Sequence, residues 1–67
     1  MFESNLKLFR EREKLSQSQL AKKSGVSIRN IQAYEQGYKD INKAQVITVL
    51  KLSEALKCDI YEILNPR

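Results

Sequence analysis

Apolar and polar residues alternate along this chain with the period of an α-helix. Residues 17–24 and 28–36 each carry apolar side chains at helical spacing, and a short segment containing Gly25 separates them. Three further helices are predicted at about Asn5 to Lys14, Asn42 to Lys57 and Asp59 to Leu64. No segment has the strict two-residue alternation of a half-buried strand. We therefore expect an all-α protein with five short helices.

The two central helices carry clear N-terminal signals. Ser16 and Ser27 are favourable N-cap residues, and Gln19 completes a capping box with Ser16. Apolar pairs flank both caps as hydrophobic staples: Leu15 with Leu20, and Val26 with Ile31. Gly25 lies where the first of these helices must end and the chain must turn. Helix, tight turn and helix make a helix-turn-helix, whose second helix lies in the DNA major groove.

The two C-terminal helices have similar signals. Asn42 is expected to cap the fourth helix, with Gln45 three residues later, and Asp59 to cap the fifth, with Glu62. The expected staples are Ile41 with Val46, and Cys58 with Ile63. The buried stripe of the fourth helix is expected to contain Val46, Val49, Leu52, Ser53 and Leu56. Elsewhere we expect the core to contain Leu6, Phe9, Leu20, Ala21, Ile31 and Tyr34.

Size and composition narrow the classes of function. Sixty-seven residues make one small domain, residues 1–67, and this length and Met1 fit a whole protein or the N-terminal domain of a longer one. The chain has one cysteine and no histidine, so we expect no disulfide framework, no metal site and no cofactor. Cys58 is expected to be a small hydrophobe at a staple position, with a redox sensor as the alternative. Without a His-based nucleophile pair, paired carboxylates in a cleft or a Gly-rich phosphate loop, an enzyme is not expected. No membrane-spanning run or signal peptide is present, which predicts a cytoplasmic protein.

Basic residues concentrate in the helix-turn-helix. The formal net charge is +4, and residues 14–39 contain five bases and one acid, which gives the same net charge within that segment alone. Phosphate contacts require such a surface, although a solvated basic face is also common in small proteins. Charge alone therefore does not distinguish a DNA-binding surface from a solvated basic face, and the sequence motif is the stronger evidence.

The segment SQSQLAKKSGVSIRNIQAYEQG, residues 16–37, resembles the helix-turn-helix of phage-repressor-like (Xre/Cro/C1) regulators of bacterial or phage type. The matching residues are Ser16, Gln17, Leu20, Ala21, Gly25, Val26, Ser27, Ile31, Tyr34, Glu35 and Gly37. The resemblance extends to the L-x-x-F-R segment at 6–10 and to residues 55–64, so it covers essentially the whole chain. It implies a compact lambda-repressor-like domain of five helices that binds double-stranded DNA, and it makes a repressor the expected regulator.

The second helix of the helix-turn-helix, residues 28–36, is called the recognition helix. One of its faces is the buried stripe, and the opposite face is free to meet DNA. The residues expected to point outward and read bases are Ser27, Ile28, Arg29, Gln32 and Ala33. Arg29 can form a bidentate pair with guanine, and its alternative role is a phosphate contact. Ile28 can pack on a thymine methyl group. Ala33 offers only a methyl group where many relatives carry a long polar side chain, so Gln32 is expected to read a base or to reach a phosphate.

Phosphate contacts are expected around this helix. By the resemblance, Gln17 and the helix N-terminus behind it meet the DNA backbone, which free amide groups and the helix dipole favour. The other expected phosphate contacts are Arg10, Asn30, Tyr38 and Lys39. In relatives, an Arg and a Glu at the positions of Arg10 and Glu35 form a partly buried ion pair. Arg10 can therefore hold Glu35, contact phosphate, or do both.

A homodimer on DNA is expected, because one small domain contacts about half a palindromic site. Ile47 and Leu50 flank the buried stripe of the fourth helix, and Ile60 and Tyr61 could join them at the interface. The alternative is that the loop from Tyr38 to Ile41 covers Ile47 and Leu50. A further alternative is a dimer that is weak in solution and forms only on DNA. The competing function is an antitoxin-like or other protein-interaction module with the same fold, although the chain lacks a tail that could wrap a partner.

Overall fold

The computed structural model describes residues 4–66, and within that range the regular structure is entirely helical. Five α-helices follow one another, with one turn of 3₁₀ helix, Ile41–Lys43, before the fourth. The α-helices are α1, Asn5–Arg12; α2, Gln17–Ser24; α3, Ile28–Gln36; α4, Val46–Leu56; and α5, Ile60–Ile63. The prediction of an all-α fold with five helices is confirmed.

Every helical element contributes to a single core. The largest side chains with essentially no exposure are Leu6, Leu20, Ile31, Ile41, Leu52, Leu56 and Ile63. Helix α2 packs against α3 and α4, while α1 packs against α3 and α5. Burial of each such side chain contributes about 1.5–3 kcal/mol, so no helix of this small domain stands apart from the others. None of the described helices is long and apolar enough to cross a membrane.

The bounds of α2 and α3 coincide with the ranges predicted from the sequence. The hydroxyl oxygen of Ser16 accepts the Gln19 backbone N–H at 3.0 Å, and Gln19 Oε1 accepts the Ser16 backbone N–H at 2.8 Å. At α3, the Ser27 hydroxyl oxygen accepts the Asn30 N–H at 3.2 Å. Gly25 and Gly37 end the two helices with φ of 78° and 84°, a left-handed conformation that glycine adopts without strain.

The predicted start of the fourth helix is wrong. Asn42 lies in the 3₁₀ turn, which Asp40 caps, and α4 begins at Val46 after Gln45, whose side chain makes no capping hydrogen bond. Asn42 is used elsewhere: its Nδ2 donates to the Asn65 carbonyl, and its Oδ1 accepts the Asn65 N–H, both at 2.9 Å. Because α4 starts later, Val46 is 70% exposed and does not belong to the buried stripe, contrary to prediction.

The remaining elements agree with the sequence pattern except at the end of α1. That helix stops at Arg12 instead of Lys14, because Lys14 takes a left-handed conformation with φ of 58°. Lys57 ends α4 in the same conformation, with φ of 56°. At α5, Glu62 Oε1 accepts the Asp59 N–H at 2.9 Å, which joins the predicted cap pair. The Asn5 Nδ2 donates to the Leu64 carbonyl at 2.7 Å and ties the end of α5 to α1.

Candidate nucleic-acid interface

The outward face of α3 is the central feature of the candidate interface. Ile31, Tyr34 and Glu35 are buried on the inner side of the helix. Ser27, Ile28, Arg29 and Gln32 are all exposed, as the sequence pattern predicted. Hydrogen-bonding side chains and one apolar side chain thus share the N-terminal turns of the helix. A major groove requires this mixture for reading base edges and methyl groups.

Ala33 differs from the other four outward positions, since it is half-buried. The chain after α3 folds back over it: the Ala33 carbonyl accepts the backbone N–H groups of Tyr38 and Lys39 at 2.9 and 3.2 Å. The backbone carbonyl of Ala33 therefore helps to position the following loop, while its methyl group is partly exposed.

The loop after α3 places two further candidates beside the helix. Tyr38 is exposed, and the Lys39 ammonium donates to Asn30 Oδ1 at 2.9 Å. This hydrogen bond holds the positive charge of Lys39 against the side of α3. Asn30 and Lys39, both predicted to contact phosphate, are thus brought together by the structure.

One buried carboxylate links α1, α2 and α3. Glu35 accepts two hydrogen bonds from Arg10: Nε to Oε2 at 2.7 Å and Nη2 to Oε1 at 2.9 Å. Gln17 Nε2 donates to the same Oε1 at 3.1 Å. The side chains of Arg10 and Glu35 are 11% and 3% exposed, so the expected partly buried ion pair is present in the structure.

Arg10 also reaches the turn before α2. Its Nη1 donates to the Leu15 carbonyl at 2.8 Å, one residue before the cap of α2. The hydrogen bond to Glu35 raises the pKa of Arg10 above its already high ordinary value, although burial opposes the shift. The guanidinium is therefore charged at any ordinary pH. With three of its N–H groups already bonded inside the chain, Arg10 has less freedom to reach phosphate than an exposed arginine.

The charge exposed by the helix-turn-helix is uniformly positive. Five bases of residues 14–39 are exposed: Lys14, Lys22, Lys23, Arg29 and Lys39. The one acid of this segment, Glu35, is buried and neutralised by Arg10. Within residues 14–39 the net positive charge therefore faces solvent with no exposed carboxylate, while the next residue, Asp40, is an exposed acid; such a basic segment favours binding of a polyanion.

Sequence reasoning missed the hydrogen bond between Gln17 and Glu35. The two residues lie 18 positions apart and on different helices, so no local spacing rule connects them. The available signal was the position of Gln17 in the first turn of α2, together with the expectation that Arg10 and Glu35 pair nearby. That combination places a polar side chain next to a buried carboxylate.

An all-helical domain with a tight helix-turn-helix and an exposed basic surface is typical of a class of DNA-binding modules. A family model described as helix-turn-helix matches residues 6–63 of this chain. The chain belongs to this family of DNA-binding proteins, in agreement with its resemblance to phage-repressor-like (Xre/Cro/C1) regulators. No curated protein matches the chain significantly.

Proposed function

We propose that this protein is a sequence-specific transcription regulator of bacterial or phage type that inserts α3 into the major groove of double-stranded DNA. The observation that carries the proposal is the outward face of α3, where Ser27, Ile28, Arg29 and Gln32 are exposed. The basic residues of the segment 14–39 are exposed as well, whereas its one acidic residue is buried. The proposed location is the cytoplasm, where such DNA is accessible.

Direct readout is assigned to the exposed side chains. The Arg29 guanidinium has no partner among the described residues and can form two hydrogen bonds with guanine O6 and N7. Ile28 packs on a thymine methyl group, and Gln32 pairs with adenine or reaches a phosphate. Ser27 retains a hydroxyl proton for donation, since its oxygen already accepts from Asn30. Ala33 contributes only apolar contact.

Phosphate contacts hold this face in register. Gln17 and the N-terminal amide groups of α2 bind one phosphate, because the helix dipole and the unpaired N–H groups attract an anion. Tyr38, Lys39 and Asn30 bind phosphates on the other side of α3, and Arg10 adds at most a secondary contact.

We further propose that the regulator is a repressor. Occupying an operator is sufficient to exclude other proteins from the same DNA, and it needs no additional activity of the bound domain. A domain of 67 residues with its exposed basic surface on the helix-turn-helix meets that requirement.

The proposed working form is a two-fold dimer on DNA. Val46, Ile47 and Leu50 lie along one side of α4 and are 70%, 55% and 37% exposed, so the loop after α3 does not cover them. Tyr61 on the neighbouring α5 is exposed as well. This patch is small, which favours a weak dimer that forms as two copies bind half-sites about 34 Å apart.

Sedimentation of the free protein and of its operator complex tests the dimer. We expect two chains per full site, and Ile47→Glu with Leu50→Glu should abolish cooperative binding while leaving half-site binding intact. A complex with one chain per full site contradicts the dimer. Unchanged cooperativity in the double variant places the interface elsewhere.

Selection of bound sequences from a random duplex library tests the function. We expect a two-fold consensus and, for its duplex, a steep fall in affinity with salt. Arg29→Ala should lose about 5- to 150-fold of its preference at one base-pair position, the effect of about 1–3 kcal/mol from a bidentate pair. Lys7→Ala, which removes an exposed base of α1 outside the helix-turn-helix, is the matched control.

Two results of that experiment would redirect the proposal. Equal losses by Arg29→Ala on consensus and random DNA assign Arg29 to phosphate. No consensus and no salt dependence favour the alternative, an antitoxin-like interaction module, for which the apolar patch of Val46, Ile47 and Leu50 supplies a protein-binding surface.

A further inference from the structure

The side chain of Gln17 is held in place from inside the domain. Its Nε2 donates one proton to Glu35 Oε1, and the same carboxylate is gripped at two points by Arg10. Gln17 is half-buried, whereas the neighbouring Ser18 and Gln19 are exposed. A glutamine side chain has several rotatable bonds, and fixing it on binding costs affinity. In this protein the fixing precedes any contact with a ligand.

The hydrogen bond to Glu35 leaves Gln17 with further hydrogen-bond donors for a ligand. A carboxamide nitrogen carries two protons, and Glu35 takes one of them. The backbone N–H groups of Gln17 and Ser18 belong to the first turn of α2 and have no partner within the helix. The N–H of Gln19 is already bound by Ser16. The side chain and the first amide groups of α2 therefore form one set of donors with a fixed spacing.

Arg10 controls both parts of this set. Through Glu35 it holds the Gln17 side chain, and through the Leu15 carbonyl it holds the backbone just before the cap of α2. We propose that Arg10 and Glu35 are positioning residues for the phosphate contact of Gln17, beyond their role in joining α1 to α3. This inference rests on the proposed function, since it assumes that Gln17 meets DNA.

A backbone-neutralisation scan tests the proposal. Single methylphosphonate groups replace the phosphates of the selected operator one at a time, and affinity is measured for four proteins. These are the wild type, Gln17→Ala, the apolar pair variant Arg10→Met with Glu35→Leu, and Gln45→Ala. Gln45 is an exposed glutamine at the N-cap position of α4, and its side chain makes no capping hydrogen bond, which makes it the matched control.

We expect neutralisation of one phosphate to weaken the wild type and Gln45→Ala by the same factor and to weaken Gln17→Ala by a smaller factor, because only the α2 amide groups still contact that phosphate in this variant. At that phosphate the apolar pair variant should show the same reduced sensitivity as Gln17→Ala, and its affinity for the intact operator should fall roughly two- to tenfold. A purely structural ion pair would change thermal stability, or affinity at all phosphates alike, without removing sensitivity at this one. Full sensitivity of the pair variant at the Gln17 phosphate overturns the inference while the proposed function stands.

The wild type supplies an independent measurement if the pair variant does not fold. The NMR order parameter of the Gln17 side-chain amide in the free protein should approach the value of about 0.85 typical of rigid backbone, well above that of Gln45. A value below about 0.6 overturns the inference. If no phosphate depends on Gln17 in the wild type, the inference also fails. If the wild type shows no salt-dependent DNA binding, the proposed function fails with it.

Discussion

Removal of either Arg10 or Glu35 should lower the free energy of unfolding by far more than the intact ion pair adds to it. Arg10→Ala leaves a carboxylate whose side chain is 3% exposed with a single remaining hydrogen bond, from Gln17. Glu35→Ala leaves a guanidinium that is 11% exposed and bonded only to the Leu15 carbonyl. Unpaired buried charges of this kind cost about 3–5 kcal/mol. Small domains have a free energy of unfolding of only about 5–15 kcal/mol, so each single variant should be severely destabilised.

The double variant should lose little more than the worse single variant, because the second substitution removes the charge that the first one stranded. The coupling free energy is then about 3 kcal/mol or more. Urea unfolding followed by far-UV circular dichroism measures it. With a slope near the low end for small proteins, about 1 kcal/mol per molar urea, the midpoint of each single variant should fall by about 3–5 M.

Arg12→Ala provides the matched control for this cycle. Arg12 is also on α1, but its guanidinium lies 4.2 Å from the Phe9 ring centroid and does not contact Glu35. Combined with Glu35→Ala, it should be additive within about 0.5 kcal/mol. Strict additivity of the Arg10 and Glu35 substitutions would refute the reasoning, since it would mean that the two charges stabilise the fold independently.

Three further substitutions or modifications have definite expected outcomes. Gly25→Ala should lower the free energy of unfolding by about 1 kcal/mol in a urea titration, because a Cβ there meets nothing within 4 Å and only the left-handed φ of 78° opposes it; a loss above about 3 kcal/mol would indicate an unseen clash. Asn42→Ala should cost about 1–3 kcal/mol, since both backbone groups of Asn65 lose their partner, and an unchanged midpoint would contradict this. Burial, and secondarily the charge of Glu62, raises the pKa of the Cys58 thiol, so iodoacetamide should modify the folded protein more slowly than the urea-unfolded chain at pH 8. The folded state holds the thiol proton more tightly than the unfolded state does. The stability that this group contributes is therefore complete below the unfolded thiol pKa of about 8.5 and is lost as the pH rises through the folded pKa. Equal alkylation rates of the folded and unfolded protein would contradict this expectation.

The sequence was most informative where structure is decided locally. The ends of α2 and α3 depend on Ser16, Ser27 and two glycines that act within four residues, so cap rules predicted both helices to the residue. The start of α4 failed for the opposite reason. Asn42 is a good cap by type, but its amide bonds to Asn65, 23 residues away, and no local rule weighs that alternative.

The candidate site divides in the same way. The outward positions of α3 follow from the period of one helix, so the exposure of Arg29 and Gln32 on this face could be predicted from the sequence. The hydrogen bond from Gln17 to Glu35 joins two helices and depends on how α2 packs against α3. Sequence could name both residues but could not place them in contact, because their distance is set by the packing of the core.

The left-handed conformation of Lys57 makes the end of α4 a place where the protein can be made more stable. Its φ of 56° carries strain that glycine does not have, and its backbone N–H still bonds the Glu54 carbonyl, as at a glycine cap. Lys57→Gly should therefore raise the free energy of unfolding by about 0.5–1 kcal/mol. The position lies outside residues 14–39, so the basic surface of the helix-turn-helix keeps its charge. In this background the folded-to-unfolded ratio of each variant of the Arg10–Glu35 pair should rise by about two- to fivefold, which offsets part of its expected loss of stability.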